Sequence, residues 1–171
     1  MKYSIGLASL VVAVAGVISA PVQAADEVNE VGANATSNCQ GALPNFEGNI
    51  RKRPLAVQNE GTASAFITCS FSTQYDTADI NQVGYFTLFF NNQTASAKNV
   101  TCTGVAGYAS NLTNTFISKN VSVAANSEGE IDFVPADNGG QGYYPLVNVS
   151  CNIPVGVGIA DTYVGFNVDD A

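Results

Sequence analysis

Histidine is absent from this sequence, and charged residues make up only 12% of it, against the ~25% that is usual in soluble proteins. The absence of histidine excludes mechanisms in which a histidine base activates a serine or cysteine nucleophile. It also removes a common zinc ligand, and no two cysteines have the Cys-x-x-Cys spacing of a zinc site. We therefore expect no metal, no cofactor and no enzymatic activity.

Basic residues are scarce as well. Six lysines and arginines stand against fourteen aspartates and glutamates, so the formal net charge is −8 at pH 7. Nucleic-acid binding requires a basic surface, so the composition argues against a nucleic-acid partner. The basic cluster Arg51-Lys52-Arg53 stands beside Pro54 and is typical of a solvated turn; an anion-docking patch is the alternative.

The N-terminus contains a long apolar run. Lys2 is followed by an almost uninterrupted apolar stretch at positions 5–20 and by Val22-Gln23-Ala24. This pattern is typical of a cleavable secretory signal, and the run is too short to span a bilayer comfortably. We predict a signal peptide at residues 1–24 and a secreted or periplasmic protein without membrane insertion after cleavage. An N-terminal membrane anchor is the alternative.

The sequence contains four cysteines: Cys39, Cys69, Cys102 and Cys151. An even number in an exported chain indicates disulfides, and four cysteines allow three connectivities. We predict a Cys39–Cys69 bond, which ties the N-terminal segment to the first strong strand, and a Cys102–Cys151 bond, which joins two strands in phase. Each bond is expected to stabilise the fold by roughly 2–4 kcal/mol.

Alternation of apolar and polar residues predicts the fold. In residues 147–153 every second residue is apolar, and Cys151 falls in the apolar set. Cys69 and Cys102 are likewise in phase with apolar neighbours. About seven such strands are predicted, at 65–71, 85–90, 99–103, 115–123, 130–134, 147–153 and 162–168. We predict an all-β fold with a single antiparallel β-sandwich, immunoglobulin-like or jelly-roll-like, with two disulfides; a closed β-barrel is the alternative.

The strand pattern also predicts organisation. Residues 25–50 show no periodicity and are predicted to form an irregular N-terminal arm, so the sandwich domain is placed at 51–171. The strands at 85–90 and 99–103 are predicted to form a hairpin. Lys119 interrupts the apolar face of the strand at 115–123, which predicts a position near a sheet edge.

Several short motifs carry a resemblance. They are Glu30-Val31-Gly32, Cys39-Gln40, the stretch 59–63 leading into Thr68-Cys69-Ser70, Cys151-Asn152-Ile153-Pro154 and Tyr163-Val164-Gly165. With these motifs the chain resembles a family of small uncharacterised secreted bacterial proteins. The resemblance implies export and a β-rich fold, and it implies no activity and no functional residue.

An aromatic patch is the strongest candidate site. The strand at 85–90 turns Phe86 and Phe90 to one face, which leaves Tyr85 and Phe89 on the other. An apolar second face must be covered, either by the N-terminal arm or a loop, or by a partner protein or a stacked sugar ring. Phe66 is predicted to extend this patch, and a separate loop platform is predicted just before Pro145. The predicted ligand or partner residues are therefore Phe66, Tyr85, Phe89, Tyr143 and Tyr144.

Acidic residues offer weaker candidates. Carboxylate pairs can hydrolyse glycosides, and the candidate sets are Asp76 with Asp79, and Glu128, Glu130 and Asp132. Calcium ligands are the other option, at 137–140 or at Asp161 with 169–170. Solvated faces and an ordinary turn are the better explanation of these residues, so no catalytic or metal residue is predicted.

These observations predict an exported, non-catalytic β-sandwich protein that acts by surface contacts in the cell envelope or medium, with a protein or glycan at the cell surface as partner. A carbohydrate- or small-ligand-binding module is one alternative. A subunit of a surface fibre, which accepts a strand from its neighbour, is the other.

Overall fold

The computed structural model describes residues 27–73, 83–108 and 113–168. In chain order they form β1 (Glu27–Asn34), α1 (Ala35–Asn38), β2 (Cys39–Gly41), α2 (Pro44–Glu47), β3 (Ile50–Arg53), β4 (Ala56–Asn59), β5 (Ala65–Ser70), β6 (Val83–Asn92), β7 (Lys98–Tyr108), β8 (Thr113–Val123), β9 (Ser127–Phe133), a 3-10 helix (Pro135–Asn138), β10 (Val147–Ile153) and β11 (Val157–Val168). None of the helices in these segments has the length and apolar character needed to cross a membrane.

The strands form two antiparallel sheets. The larger sheet has the order β3-β4-β11-β6-β9, with β1 also paired to β11, and the smaller sheet has the order β2-β5-β10-β7-β8. The sheets pack as a sandwich and do not close into a barrel. The predicted antiparallel β-sandwich is therefore confirmed, whereas the barrel alternative and the estimate of about seven strands are wrong, since the described segments hold eleven strands.

The core lies between the sheets and follows the alternation in the sequence. Every second residue of β10, from Val147 to Ile153, is 1% exposed or less, and the residues between them are partly exposed. Aromatic rings cover the core-facing side of the larger sheet, where Phe86 of β6 stacks on Phe133 of β9 with 4.5 Å between ring centroids. Burial of these apolar side chains is the main force that holds the two layers together.

Both predicted disulfides are confirmed. Cys39 of β2 lies directly opposite Cys69 of β5, and Cys102 of β7 lies directly opposite Cys151 of β10. In each pair the Cα atoms are 4.0 Å apart. All four side chains are buried, as the phase of the last three predicts. The disulfides therefore link neighbouring strands within the smaller sheet.

Residues 27–50 differ from the predicted irregular arm. β1 pairs with β11 over eight residue pairs, and β2 joins the smaller sheet beside β5. Asn34 ends β1 and caps α1, because its Oδ1 accepts a hydrogen bond from Thr36 N at 3.0 Å. Val28 and Val31 lie on the two faces of β1, and both are exposed, so neither face of this strand packs into the core. This explains why its sequence shows no apolar alternation. β1 is attached to the larger sheet by its backbone pairing with β11. The predicted signal peptide at 1–24 lies outside the described residues.

The predicted hairpin of 85–90 with 99–103 is also wrong. β6 belongs to the larger sheet and β7 to the smaller one, so the connection between them crosses the sandwich. Asn92 fixes the crossover, because its side-chain amide donates to the backbone oxygens of Ser96, Val123 and Ala124 at 2.9–3.0 Å. Alternation identifies the buried face of a strand, but it does not identify the neighbouring strand.

β8 is an edge strand of the smaller sheet, as Lys119 predicts. Lys119 Nζ donates to Asp132 O at 2.6 Å and to Asp137 Oδ2 at 2.5 Å, so it links β8 to the layer of the larger sheet. Burial raises the pKa of the Asp137 carboxyl, but the hydrogen bonds from Lys119 and from Val134 N outweigh it, and the pKa lies below its ordinary value.

Candidate functional site

A cleft of about 320 Å³ opens on the outer face of the larger sheet. Tyr85 and Phe89 project into it from β6, and Tyr163 projects from β11. The ring of Phe89 meets that of Tyr163 edge to face, with 5.5 Å between centroids. We refer to this surface as the aromatic cleft; it unites two of the predicted patch residues with one that the prediction missed.

Strand geometry explains why the rings lie outside the core. In β6, Phe86 and Phe90 point inward and are buried, so the alternate positions Tyr85 and Phe89 face outward and are only partly buried. Tyr163 is directly opposite Thr87 in the pairing of β11 with β6. It therefore projects from the same face of the sheet, between the two β6 rings.

Two glycines give the tyrosine rings room to lie across neighbouring strands. A Cβ atom at Gly165 of β11 would overlap the ring of Tyr85, and one at Gly32 of β1 would lie 2.6 Å from the ring of Tyr163. Tyr85 thus reaches over β11, and its hydroxyl donates to Glu30 Oε2 on β1. β1 therefore supports the cleft from the side, and it leaves the aromatic face partly open.

The environment of Tyr85 is negatively charged. Its pKa is raised to about 12, first by the hydrogen bond to Glu30, then by burial, and then by the charges of Glu30 and Asp132. The phenol consequently stays protonated further into the alkaline range than an ordinary tyrosine, and it continues to donate its hydrogen bond to Glu30 there. This bond holds the ring in place at the cleft.

Carboxylates from three strands line the same cleft: Glu30 of β1, Glu128 and Asp132 of β9, and Asp161 of β11. Asp132 Oδ1 accepts a hydrogen bond from Thr87 Oγ1 at 2.6 Å. Neither of the two ion pairs in the described segments, Arg53–Glu60 and Lys119–Asp137, involves a carboxylate of the cleft. The described residues include no group of three or more acidic or cysteine side chains placed to hold a metal ion.

Phe66 does not extend this patch. It lies on β5 in the smaller sheet, where it points outward, is 45% exposed and packs against Phe46 with ring centroids 5.9 Å apart. The outer faces of the two sheets are on opposite sides of the sandwich, so this part of the prediction is wrong. The alternation placed Phe66 outward correctly, but the sheet to which β5 belongs depends on tertiary pairing.

The predicted platform of Tyr143 and Tyr144 is wrong for Tyr143. Tyr143 is 1% exposed, and its hydroxyl donates to Val134 O at 2.6 Å. Its backbone pairs with that of Val83 at the start of β6, which places the side chain in the core. Burial, and then the charge of Asp137, raise its pKa to about 12. Tyr144 is partly buried and packs against the core.

The acidic candidates separate in the structure. Glu128 lines the aromatic cleft, Glu130 lines a groove between β8 and β9, and Asp132 borders both surfaces. In the calcium candidate at 137–140, Asp137 forms an ion pair with Lys119. Gly139 and Gly140 adopt φ values of 67° and 85°, as an ordinary turn requires. The candidates at positions 76, 79, 169 and 170 lie outside the described residues.

Sequence reasoning missed Tyr163 and Glu30, and it considered Asp161 only as a candidate calcium ligand, not as part of an aromatic site. A signal for Tyr163 was present, because the predicted strand at 162–168 turns Val164 and Phe166 inward and therefore turns Tyr163 outward. No comparable signal existed for Glu30, since β1 has no alternation that would place it on a sheet.

No protein-family model and no curated protein matches this sequence. Among solved structures, the exo-β-1,3-galactanase of Phanerochaete chrysosporium is 12% identical over 81% of this chain, with a TM-score of 0.41; the match spans only 29% of the galactanase chain. TmCBM61, in complex with β-1,4-galactotriose, is 13% identical over 81% of this chain and 88% of its own, with a TM-score of 0.39.

A protein of the Bacillus endospore appendages, described as disulfide-linked pili, is 11% identical over 89% of this chain and 98% of its own, with a TM-score of 0.34. TM-scores below 0.5 at these identities establish neither a family nor a function for this chain.

Proposed function

We propose that this protein is an exported, non-catalytic β-sandwich that binds a carbohydrate in the aromatic cleft. The observation that carries the proposal is the set of three partly exposed rings, Tyr85, Phe89 and Tyr163, grouped in one cleft of a rigid sheet. Aromatic faces stack on the apolar faces of sugar rings, and the surrounding polar groups bind sugar hydroxyls.

The polar groups of the cleft suit this role. Asp132 and the hydroxyl of Tyr85 are held by hydrogen bonds to Thr87 and Glu30. These bonds hold acceptor oxygens in place beside the rings before a ligand arrives, which lowers the entropic cost of binding. A sheet presents such groups more rigidly than a loop does.

The proposal of a non-catalytic, exported protein has separate support. The sequence holds no histidine, and all four cysteines form disulfides, so neither a histidine base nor a free thiol is available in this chain. Disulfides form and persist mainly in oxidising compartments, in agreement with the apolar N-terminal run that is typical of a secretory signal.

The test is glycan retention by single alanine variants. Tyr163→Ala and Phe89→Ala are each expected to weaken binding roughly tenfold, because each removes one stacking face. Phe116→Ala is the matched control, since Phe116 is 67% exposed but lies on β8 of the smaller sheet. Binding is measured by affinity electrophoresis in soluble polysaccharides, with circular dichroism to verify folding. Equal retention of all variants, or no retention on a broad panel, would refute the proposal.

A fibre subunit is a second candidate, favoured by opposite charges at the two edges of the larger sheet. Arg51 and Lys52 lie on the edge strand β3, and Glu128 and Glu130 lie on the edge strand β9. Such edges can join head to tail between copies. β11 occupies a central position in the sheet, which argues against a sandwich that lacks a strand.

Sedimentation velocity at low and high salt tests the fibre candidate. Assembly at low salt that disappears in Arg51→Glu supports it, whereas a monomer at both salt concentrations and at high protein concentration refutes it.

A further inference from the structure

We infer that the aromatic cleft selects a sugar that carries ammonium groups, such as a chain of unacetylated amino sugars. This inference rests on the proposed function, because it assigns a chemical class to the ligand of the same cleft. It is carried by two features that coincide there: three aromatic rings, and four carboxylates on three strands.

The first observation is the sign of the charge. The cleft contains Glu30, Glu128, Asp132 and Asp161, and no lysine or arginine is among the residues that line it. Neither ion pair of the described segments, Arg53–Glu60 or Lys119–Asp137, includes a carboxylate of the cleft. Lys119 also donates to the backbone oxygen of Asp132, but it lines the neighbouring groove between β8 and β9 and not the cleft. The charge of the cleft is therefore not neutralised by its own lining, and a cationic ligand would supply the missing charge.

The second observation is the kind of surface on which the charge acts. Aromatic faces attract cations because the ring carries negative charge on its face. Tyr85 places the two features side by side, since its ring lines the cleft while its hydroxyl donates to the Glu30 carboxylate. A sugar that stacks on these rings would bring a ring-borne ammonium close to the carboxylates.

The same arrangement excludes anionic sugars. A uronic acid would place its carboxylate among four others with no basic residue in the cleft lining to receive it, which is electrostatically unfavourable. A neutral sugar would be stacked without any gain from the carboxylates. The expected order of affinity is therefore ammonium-bearing sugar first, neutral sugar second and uronic acid last.

The experiment compares two ligands of the same backbone and length: a β-1,4-linked glucosamine hexamer and its fully N-acetylated form. Isothermal titration calorimetry at low salt is expected to show about tenfold tighter binding of the glucosamine hexamer, a preference that falls when salt is raised. A β-1,4-linked glucuronic acid oligomer is expected to show no binding.

The decisive variant is Glu128→Gln with Asp161→Asn, because neither carboxylate holds a ring of the cleft. It is expected to reduce the preference for the glucosamine hexamer, measured as the ratio of the two Kd values, about tenfold, because a lost contact to a sugar hydroxyl weakens both hexamers alike whereas the lost charge weakens only the cationic one. Glu47→Gln with Glu60→Gln is the matched control: it changes the net charge equally, but neither residue lines the cleft. The control is expected to keep the preference.

The outcomes separate the two levels of the proposal. Equal binding of both hexamers, with both lost in Tyr163→Ala, would overturn the inference about charge and leave the carbohydrate-binding proposal intact. A preference that survives in Glu128→Gln/Asp161→Asn, or that disappears equally in the Glu47→Gln/Glu60→Gln control, would also overturn the charge inference. No binding of any glycan would overturn both.

Discussion

The two sheets of the sandwich are stabilised differently. In the smaller sheet, disulfides join β2 to β5 and β7 to β10, so four of its five strands are covalently paired. The strands of the larger sheet that the structure describes are linked by backbone pairing and by side-chain hydrogen bonds such as Tyr85–Glu30 and Thr87–Asp132. The aromatic cleft lies on this second sheet.

The difference has a physical explanation. β2 contains only three residues, too few for backbone pairing alone to hold it in place, and the Cys39–Cys69 bond supplies the missing restraint. The larger sheet has β6 and β11, of ten and twelve residues, at its centre. The backbone pairing of these long strands holds the sheet together without disulfides, so its outer face can carry exposed rings and carboxylates.

Removal of the Cys102–Cys151 disulfide, which joins two inner strands of the smaller sheet, is expected to have the largest effect on stability. Replacing Cys102 and Cys151 by alanine should lower the free energy of unfolding by roughly 2–5 kcal/mol, because the unfolded chain regains the entropy that the cross-link removes. Urea denaturation measures it, with Cys39→Ala/Cys69→Ala as the matched variant. A loss below about 1 kcal/mol in both variants would contradict a supporting role for the disulfides.

Lys119→Met tests the link between the two layers. It removes the hydrogen bonds to Asp132 O and Asp137 Oδ2 and should cost about 1–2 kcal/mol at neutral pH. Lys98→Met, on β7, makes the same change of charge and serves as the control. Equal stability of the two variants in urea denaturation would show that Lys119 does not link the layers.

Lys119→Met should also change the response of stability to acid. The pKa of Asp137 is lowered in the folded protein, so its contribution to stability is complete above the unfolded pKa, about 3.9, and is lost as the pH falls through the lower folded value. Denaturation at neutral and acid pH should show a smaller acid-induced loss in the variant than in the wild type.

Gly165→Ala should disturb the larger sheet at its outer face. The new Cβ overlaps the ring of Tyr85, which must move and give up its bond to Glu30. Glycan affinity is expected to fall several-fold, with a loss of stability on the order of 1 kcal/mol. In Gly84→Ala the nearest atom is Gly165 O at 3.7 Å, an ordinary contact, so affinity should not change. Equal affinities would show that the position of the Tyr85 ring does not matter.

The smallest expected effect distinguishes a tyrosine of the cleft from a tyrosine of the core. Tyr85 and Tyr143 both have a pKa of about 12, the first chiefly through Glu30 and the second chiefly through burial. Glu30→Gln should therefore lower the pKa of Tyr85 only, as measured by the ultraviolet absorbance of phenolate. A simultaneous fall for Tyr143 would indicate a general loosening of the sandwich.

The two raised pKa values also predict a loss of stability in alkali. Both phenols bind their protons more tightly in the folded protein than in the unfolded chain. Their contribution is complete below about pH 10 and is lost as the pH rises toward 12. Glu30→Gln should reduce this alkaline loss.

Local chemistry predicted much of the fold. The alternation at 147–153 placed Cys151 in the core and Asn148 outside it, and the same periodicity placed Cys69 and Cys102 correctly. Turn residues such as Gly139 were predicted for the same local reason. β1 could not be predicted, since it is held by backbone hydrogen bonds to a strand more than 120 positions away and has no buried face of its own.

By itself, the sequence determined the layered all-β architecture, the inward direction of the last three cysteines and the outward direction of Tyr85, Phe89 and Phe66. Only the tertiary structure decided that Tyr163 and Glu30 join Tyr85 and Phe89, that Phe66 lies on the opposite face, and that Tyr143 is buried. The physical reason is that the period of two along a strand is a local property of the backbone. The choice of neighbouring strand is instead made by packing between segments distant in the chain.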